Sequence, residues 1–445
     1  MSTGGVLGAA EKLRPLLKKV IPQTVLSDLK AKAILGKIPK IEKQLAAFDR
    51  SARPAGVNLI GNIKAPTGLG QSMRLVGQIL QAGGVPFAVQ PWVVPSDAAT
   101  EPDPFASLET DKDRYGVNLI HVNPSEFPLP FLDLGTERFS GHYNIAYWLW
   151  ELQEFPQEWK ACIRLADEIW TPSGFITDTI RKVTDKPVLT VPYPVQTAAD
   201  PAWDRKRFGL PEDRFLFLVM YDGGSGAARK NPAAAIEAYR KAFAGREDEA
   251  PEPDGRERDR KVKGSGLVLK VHEETPQQAA ERERLCEGLE HVYVIGGNLP
   301  KPQVDALTRA CDAFVSLHRA EGFGLVMAEA MELGTPVVAT DWSANTEFMD
   351  ESCACMVPCA LEEIAHQTGA FRKGMHWAAP DTQAAAGFMR RLYTDTEFYD
   401  KIKRTASETV KNRLSLNVPA EKAAERIRTI CSGGLHDRGQ NDKRY

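Results

Sequence analysis

Two carboxylates flank a glycine-containing turn in the C-terminal half of the 445-residue chain. Glu321 precedes Gly322-Phe323-Gly324, and Glu329 follows eight residues after Glu321 inside the predicted helix 325–333. Glycines let backbone approach a ligand closely, and the N–H groups of a helix N-terminus bind anions. Glu321 can accept hydrogen bonds from sugar hydroxyls, and Glu329 can bind a ribose diol. The spacing alone leaves open a second interpretation, in which both are surface acids near a helix start.

Two adjacent cations, Arg229 and Lys230, precede Asn231 and Pro232 at the beginning of the predicted helix 232–243. A cation at a helix N-terminus opposes the helix dipole unless an anion offsets its charge. The pair therefore favours a bound anion over a solvated surface.

The N-terminal half of the chain contributes a histidine and two glycines at similar junctions. His121 lies at the end of the predicted strand 117–122, and Gly68 and Gly70 follow the predicted strand 57–63. The histidine either contacts a ligand or is a structural residue with satisfied hydrogen bonds, and the sequence supports both equally. The glycines either bring backbone near a reacting centre or serve the turn, and we favour the first.

The elements that must position these residues alternate along the chain. Short apolar runs that predict strands are separated by helical patterns, which indicates an α/β fold with mainly parallel sheets covered by helices on both faces. Ligands bind such sheets outside the carboxyl ends of the strands, where each motif above lies. The predicted strands are 57–63, 86–92, 117–122, 144–150, 168–171, 188–191, 215–221, 267–272, 292–295, 313–317 and 336–339.

The chain is too long for one ordinary core and suits two domains. We predict doubly wound, Rossmann-like domains at 51–205 and 206–400, between an N-terminal helical extension at 1–50 and a helical segment with a loose tail at 401–445. Thirteen of the eighteen residues at 246–263 are charged. This stretch cannot bury apolar surface and is predicted to be a disordered insertion in the second domain.

Composition excludes several classes of protein. The chain is 43% hydrophobic and 26% charged, as in an ordinary soluble protein, and its formal charge of −3 argues against nucleic-acid binding. We find neither a secretory signal nor a transmembrane window, and the seven cysteines have the irregular spacing of reduced thiols. Cys353, Cys355, Cys359 and His366 fit no common zinc pattern, so no metal site is predicted. We expect a cytoplasmic protein.

The first fifty residues hold ten Lys and Arg against four Asp and Glu, interleaved with apolar residues. Such a basic amphipathic segment either contacts an anionic membrane surface peripherally or packs on the first domain with its lysines solvated. We favour packing, because Pro22 and Pro39 interrupt any long helix.

A family resemblance joins these motifs. The segment 318–341, HRAEGFGLVMAEAMELGTPVVATD, resembles the signature of the family-4 type retaining glycosyltransferases, which have the GT-B fold of two Rossmann-like domains facing across a cleft. The resemblance extends from about residue 57 to 430. The segments GLGQSM at 68–73, YWLWE at 147–151, WTPS at 170–173 and RKNP at 229–232 add to it. The last three are similar to those of bacterial mannosyltransferases of surface-polysaccharide assembly.

The resemblance implies roles position by position. Lys230 corresponds to the lysine that pairs with the donor diphosphate, and Arg229 shares this role. Glu329 corresponds to the acid that binds the nucleotide ribose. Glu321 corresponds to the group that contacts the donor hexose, together with the backbone amides of Gly322, Phe323 and Gly324.

In the first domain, the resemblance places His121 near the transferred sugar and the backbone of Gly68 and Gly70 near the reacting centre. Two segments depart from the family pattern. Tyr221-Asp222-Gly223-Gly224-Ser225-Gly226 replaces the frequent Gly-Arg phosphate motif, and Asp341-Trp342-Ser343-Ala344-Asn345 replaces a glycine-led loop. The contacts to the base and the sugar in these loops therefore do not carry over.

The resemblance implies a metal-independent enzyme without a cofactor, in which the second domain binds the nucleotide-sugar donor and the first binds a glycan or lipid-linked glycan acceptor. It favours GDP-mannose, with transfer of mannose in polysaccharide or lipopolysaccharide biosynthesis. The alternatives are a UDP-sugar-dependent hexosyltransferase of the same fold and a non-catalytic GT-B scaffold. An epimerase or a phosphorylase is disfavoured, because we find neither additional acid–base residues nor the context of a pyridoxal-phosphate lysine.

Overall fold

The computed structural model describes residues 31–92, 101–223, 227–249 and 262–433. The chain divides into two compact units. Unit 1 comprises Met1–Pro194 and Leu416–Tyr445, and unit 2 comprises Val195–Ser415. The division lies before the boundary that we placed at 205, and the C-terminal residues return to unit 1.

Unit 1 contains a six-stranded sheet in the order β2-β1-β3-β4-β5-β6, with every neighbouring pair parallel. Side chains on both faces of β1, β3 and β4 are buried, which explains their nearly continuous apolar sequences. All six strands were predicted, with ends that coincide or differ by at most three residues. They are β1 Val57–Gly61, β2 Phe87–Pro91, β3 Val117–His121, β4 Tyr143–Tyr147, β5 Glu168–Thr171 and β6 Val188–Thr190.

The helices of unit 1 begin at side-chain caps where the sequence offers them. Thr67 caps α2 by accepting the Gly70 N–H at 3.4 Å, and Ser173 caps α4 by accepting the Ile176 N–H at 3.3 Å. The sequence pattern at 159–167 predicts a further helix, and the structure has a 3₁₀ segment there, Gln157–Leu165. The α-helices are α1 Ile38–Glu42, α2 Gly68–Ala82, α3 Pro128–Asp133, α4 Gly174–Arg181 and a C-terminal helix, Asn417–Ser432.

The C-terminal helix is held on unit 1 by a buried ion pair. Arg426 donates from Nε and Nη2 to the carboxylate of Glu168, at 3.0 and 2.6 Å. Glu168 is fully buried and also accepts hydrogen bonds from Tyr143 and Trp170. The carboxylate thus has several donors, as a charge inside a protein requires.

The described part of the N-terminal extension packs on unit 1. Ile38 and Ile41 of α1 are buried, Glu42 forms an ion pair with Arg164, and the Asp49 N–H donates to the Gly141 carbonyl at 3.1 Å. Residues 38–50 therefore pack on the first domain, as the favoured interpretation of the N-terminal segment predicts. The remaining basic residues at 1–30 lie outside the described residues, as does the tail at 434–445.

Unit 2 contains a second parallel six-stranded sheet, in the order β12-β11-β10-β7-β8-β9. Its strands are β7 Arg214–Asp222, β8 Gly264–His272, β9 Val292–Ile295, β10 Ala313–Ser316, β11 Val337–Thr340 and β12 Cys355–Val357. A separate antiparallel hairpin, which the sequence did not predict, pairs β13 Cys359–Glu363 with β14 His376–Pro380. Two such sheets confirm the predicted α/β fold with two Rossmann-like domains.

The sequence pattern at 382–412 predicts one long helical region in unit 2. The structure has two helices there, separated at Asp395, whose carboxylate accepts the Phe398 N–H at 2.8 Å and caps the second helix. Residues 250–261 of the predicted insertion lie outside the described residues. The helices are α5 Ala227–Lys230, α6 Pro232–Phe243, α7 Pro276–Cys286, α8 Lys301–Ala310, α9 Leu325–Glu332, α10 Thr382–Thr394 and α11 Thr396–Arg413. Within the described ranges, none of the helices combines the length and apolarity needed to cross a membrane.

Candidate functional site

The strand order of each sheet marks where a ligand is expected. In unit 2 the order reverses between β7 and β10, which lie side by side although β8 and β9 separate them in sequence. Loops leaving the carboxyl ends of two such strands diverge and form a crevice. The β7 loop leads to Arg229 and Lys230, and the β10 loop carries Glu321. In unit 1 the same reversal lies between β1 and β3, the strand that ends at His121.

The unit 2 crevice contains a cluster of two cations and one carboxylate, which we call the Glu321 cluster. The Glu321 carboxylate lies 2.5 Å from Lys230 Nζ and 3.0 Å from Arg229 Nη1. Arg229 also donates to the Ala320 carbonyl at 3.1 Å, and its own carbonyl accepts the Arg319 N–H at 2.7 Å. Sequence-predicted residues ninety-one positions apart are thus in direct contact.

The charges of the Glu321 cluster are mutually dependent. Glu321 is 6% exposed, and burial alone would raise its pKa. The positive charges of Lys230 and Arg229 outweigh burial and lower the pKa of Glu321 to about 2. The carboxylate is therefore ionised at neutral pH, and the cluster carries one net positive charge facing the crevice. An anion can bind there without first neutralising a buried acid.

A left-handed residue sets the position of the cations. Asn231 adopts φ 53° and ψ 53° between α5 and α6, and its side-chain amide donates to the Leu317 carbonyl at 3.0 Å. Pro232 then begins α6 with the φ angle that a first helical residue needs. Asn231 thus fastens the segment carrying Arg229 and Lys230 to the end of β10.

The glycine turn after Glu321 exposes the start of α9. Gly324 has φ +95°, a backbone conformation that residues with a side chain rarely adopt, so the turn requires glycine. The helix begins at Leu325 without a side-chain cap. Met327 and Ala328 already donate their N–H groups to the Gly324 carbonyl, so a ligand at this helix start would meet the amides of Leu325 and Val326. Gly322 and Phe323 lie on the same turn, and the Phe323 ring packs against the Phe348 ring with centroids 5.5 Å apart.

Three polar residues support this turn and were not singled out from the sequence. His318 is fully buried, and Nε2 lies 3.0 Å from Asn345 Oδ1 and 3.2 Å from the Trp342 carbonyl. Burial lowers the pKa of His318, so the ring is neutral. Ser343 accepts the Glu321 N–H at 3.0 Å. Ser343 and Asn345 lie in the segment Asp341–Asn345, which departs from the family pattern. In the structure this segment packs against the Glu321 turn.

Glu329 contacts a different set of residues. It is 6% exposed, and Lys301 Nζ lies 3.0 Å from its carboxylate. The same ammonium contacts Asp305, whose other oxygen accepts the Ala198 N–H at 3.1 Å. Burial raises the pKa of Glu329 to about 7, although the charge of Lys301 opposes this rise. Sequence reasoning missed Lys301 and Asp305, because no motif marks them.

In unit 1, His121 forms a buried chain of polar groups. It is 1% exposed, and Nε2 lies 2.6 Å from Ser72 Oγ, which also contacts the Tyr193 hydroxyl. Its ring stacks on Tyr147 with centroids 5.0 Å apart, and within the described chain Nδ1 has no hydrogen-bond partner. Burial lowers the pKa of His121 to about 4, so it is neutral at pH 7.

The two glycines of unit 1 lie in the first turn of α2 rather than in the preceding loop. A Cβ at Gly70 would lie 2.2 Å from the Ala65 carbonyl oxygen, so this residue is required by the turn itself. A Cβ at Gly68 would meet no atom within 4 Å, so its backbone is open to approach. The two positions therefore differ, although the sequence suggested one role for both.

Possible metal ligands form one group among the described residues, Asp248, Glu290 and His291. Their ligand atoms lie within 4.8 Å of one another, but two of the three residues are exposed and Asp248 already pairs with Arg214. Cys353, Cys355 and Cys359 are free thiols outside this group.

Comparison with known proteins identifies the class. Residues 263–371, which include β8 to β10 and the Glu321 turn, match the family model described as glycosyl transferases group 1. The chain has no significant match among curated protein sequences. Because the family match covers a quarter of the chain, the remainder is assigned by fold.

Solved structures supply that fold. The chain is similar to sucrose-phosphate synthase from Thermosynechococcus elongatus, with 16% identity and a TM-score of 0.60 over 85% of this chain and 100% of that one. The chain is also similar to Anabaena HepE in complex with UDP-glucose, with 13% identity and a TM-score of 0.58 over 84% of this chain and 100% of that one. A glycosyltransferase from Rickettsia africae is similar as well, with 12% identity and a TM-score of 0.54 over 85% of this chain and 99% of that one.

These identities establish the fold alone. The GT-B fold and the group 1 domain together identify the chain as a glycosyltransferase of the GT-B type.

Proposed function

We propose that this glycosyltransferase transfers a hexose from a nucleotide-sugar donor to a glycan or lipid-linked glycan, with retention of the anomeric configuration. The observation that carries the proposal is the Glu321 cluster. Two cations at the carboxyl end of β7 meet a carboxylate and a glycine turn at the carboxyl end of β10. This arrangement supports the proposal, because positive charge and helix amides stabilise a departing diphosphate.

The proposed roles rest on the family resemblance and on the chemistry available at each position. Lys230 and Arg229 hold the diphosphate, and the amides of the Glu321 turn share its charge. Glu321, kept ionised by its partners, accepts hydrogen bonds from the hexose hydroxyls. With no carboxylate nucleophile assigned, the departing phosphate accepts the acceptor's proton on the face that it leaves. Unit 1 binds the acceptor, with His121 as a neutral hydrogen-bonding group.

For the donor we propose GDP-mannose, and the support is the resemblance of the segments 147–151, 170–173 and 229–232 to bacterial mannosyltransferases. A UDP-sugar is the second candidate, because the structurally similar HepE has been crystallised with UDP-glucose. A titration with GDP and UDP decides between them. GDP should bind at least tenfold more tightly, a difference of about 1.4 kcal/mol, and tighter binding of UDP would overturn the GDP-mannose proposal.

Release of nucleoside diphosphate from a panel of nucleotide sugars tests the activity itself. We expect release from one donor class, and a strong reduction when Lys230 is replaced by Met. Lys263→Met is the matched control, because that lysine is 77% exposed and pairs with Asp213 at the surface of the same unit. A protein that releases no nucleotide from any donor, with bacterial membrane glycolipids supplied as acceptors, would be a scaffold rather than an enzyme.

A further inference from the structure

A three-residue ionic cluster, Lys301 with Asp305 and Glu329, lies beside the proposed donor site, and only Glu329 belongs to a motif of the sequence. The Lys301 ammonium contacts both Asp305 and Glu329, the latter at 3.0 Å. The side chains of Asp305 and Glu329 are 3% and 8% exposed, whereas that of Lys301 is 32% exposed. The two acids are therefore buried, and the lysine is the member that reaches the surface.

The elements that carry this cluster place it at the ligand edge of the sheet. Lys301 is the first residue of α8, which follows β9, and Glu329 lies in the second turn of α9, which follows β10. Both helices begin at the carboxyl ends of parallel strands, the edge where nucleotides bind in such folds. The Glu321 cluster lies at the beginning of the same α9.

The hydrogen-bonding capacity of the cluster matches a vicinal diol. An ammonium has three N–H donors, and Lys301 directs two of them at Asp305 and Glu329, which leaves one for a ligand. Both oxygens of a carboxyl group accept hydrogen bonds, and Lys301 contacts one of the two in Glu329. The pair thus offers a donor and acceptors side by side. Each hydroxyl of a ribose both donates and accepts a hydrogen bond.

Asp305 fixes the lysine in this position. Its second oxygen accepts the Ala198 N–H at 3.1 Å, so its carboxylate is held by backbone as well as by Lys301. A lysine with one anchored carboxylate partner loses less conformational freedom when it binds a ligand. The site is therefore already arranged before nucleotide arrives.

We propose that Lys301 is a donor-binding residue, whose ammonium and the Glu329 carboxylate together bind the two hydroxyls of the nucleotide ribose. The proposal rests on the proposed function, and it adds a cation to the set of residues that recognise the donor. It differs from a structural role, in which Lys301 only neutralises two buried acids and touches no ligand.

Nucleotides that lack a hydroxyl separate these roles. Affinities of the wild type, Lys301→Met and Lys301→Arg are measured for GDP or UDP, whichever binds more tightly, and for its 2′-deoxy and 3′-deoxy forms. The wild type should lose about tenfold or more with at least one deoxy form, and Lys301→Met should bind the ribonucleotide about tenfold more weakly or worse, the loss of a charge-assisted hydrogen bond. Lys301→Met should then discriminate less between the ribose and deoxy forms, and Lys301→Arg should recover part of both effects.

The controls keep the outcomes distinct. Lys241→Met removes a half-buried lysine of the same unit that pairs with Glu237, and it should leave nucleotide affinity unchanged. Wild-type affinity or undiminished discrimination in a folded Lys301→Met variant overturns the proposal for Lys301 and leaves the transferase function standing. If the wild type binds no nucleoside diphosphate at all, the proposed function fails and this proposal fails with it.

Discussion

Replacing Glu321 by glutamine and Lys230 by methionine should separate diphosphate binding from sugar transfer. Each substitution preserves approximate size and removes one charge from the Glu321 cluster. A nucleoside diphosphate competes with the Glu321 carboxylate for the same two cations. The two substitutions should therefore change its affinity in opposite directions, while both reduce turnover.

The pKa of Glu321 sets the scale of the first effect. It falls from 4.5 to about 2 although burial opposes the fall. A net fall of about 2.5 corresponds to about 3 kcal/mol, which is the attraction from the partners less the cost of burial. Without the carboxylate charge a diphosphate recovers part of this attraction, and about 1 kcal/mol is fivefold in Kd. We expect Glu321→Gln to bind nucleoside diphosphate about fivefold more tightly and to turn over roughly a hundredfold more slowly, because its contact with the hexose is lost.

Lys230→Met should act in the opposite direction on binding. It removes a charge-assisted hydrogen bond to the diphosphate, worth about 1.5–3 kcal/mol, so the affinity should fall about ten- to hundredfold. Turnover should fall roughly a hundredfold or more, because the departing charge loses its closest cation.

Calorimetric titration with GDP and UDP and an assay of released nucleotide measure both quantities. Glu281→Gln is the control for the carboxylate, since its side chain is 55% exposed and pairs with Arg284 in the same helix. Lys263→Met is the control for the lysine. Thermal unfolding of each variant shows whether the fold persists. Weaker diphosphate binding in Glu321→Gln, or undiminished turnover in both variants, would refute this view of the cluster.

Three further predictions concern stability and metal dependence. Arg426→Met leaves the Glu168 carboxylate buried without its cation, and urea denaturation should show that the free energy of unfolding falls by about 3–5 kcal/mol. Arg428→Met, at an exposed position of the same helix, should change this free energy by less than about 0.5 kcal/mol. Equal effects of the two substitutions would contradict this role of Arg426. The pKa of His121 falls from 6.5 to about 4 on burial, so its stabilising contribution is present above pH 6.5 and decreases as the pH falls toward 4, by up to about 3 kcal/mol. The stability difference between wild type and His121→Gln should therefore shrink over that range in parallel denaturation curves, and a constant difference would contradict the buried neutral ring. Activity should survive thorough chelation, because the two cations supply the positive charge; loss of activity that manganese or magnesium restores would reveal a metal site.

The sequence predicts strands β1 to β11 of the two sheets, because parallel strands are buried on both faces and read as apolar runs. It does not predict the hairpin of β13 and β14, because the residues of this hairpin are partly exposed and do not form a continuous apolar run. Leu361 of β13, for example, is 48% exposed. Nor does it predict that the C-terminal helix joins unit 1. That arrangement depends on Arg426 meeting Glu168 across 258 positions of sequence, and no local pattern encodes such a contact.

The candidate site divides in the same way. Arg229, Lys230 and Glu321 are recognisable from their motifs, and the adjacency of β7 and β10 explains why they meet. Glu329 was recognised as well, but its partner Lys301 lies in an ordinary helix start. Only the packing of α8 against α9 reveals that relation. Sequence motifs thus identified the residues that are marked by unusual backbone or charge, and packing identified the others.

A crystal structure with bound GDP or UDP tests the location of the donor site most directly. We predict that the diphosphate lies within hydrogen-bond distance of Lys230 Nζ and the Arg229 guanidinium, at the start of α9, with the ribose against Glu329. A nucleotide bound away from the carboxyl ends of β7 and β10, or a diphosphate that touches neither cation, would contradict the assignment of the site.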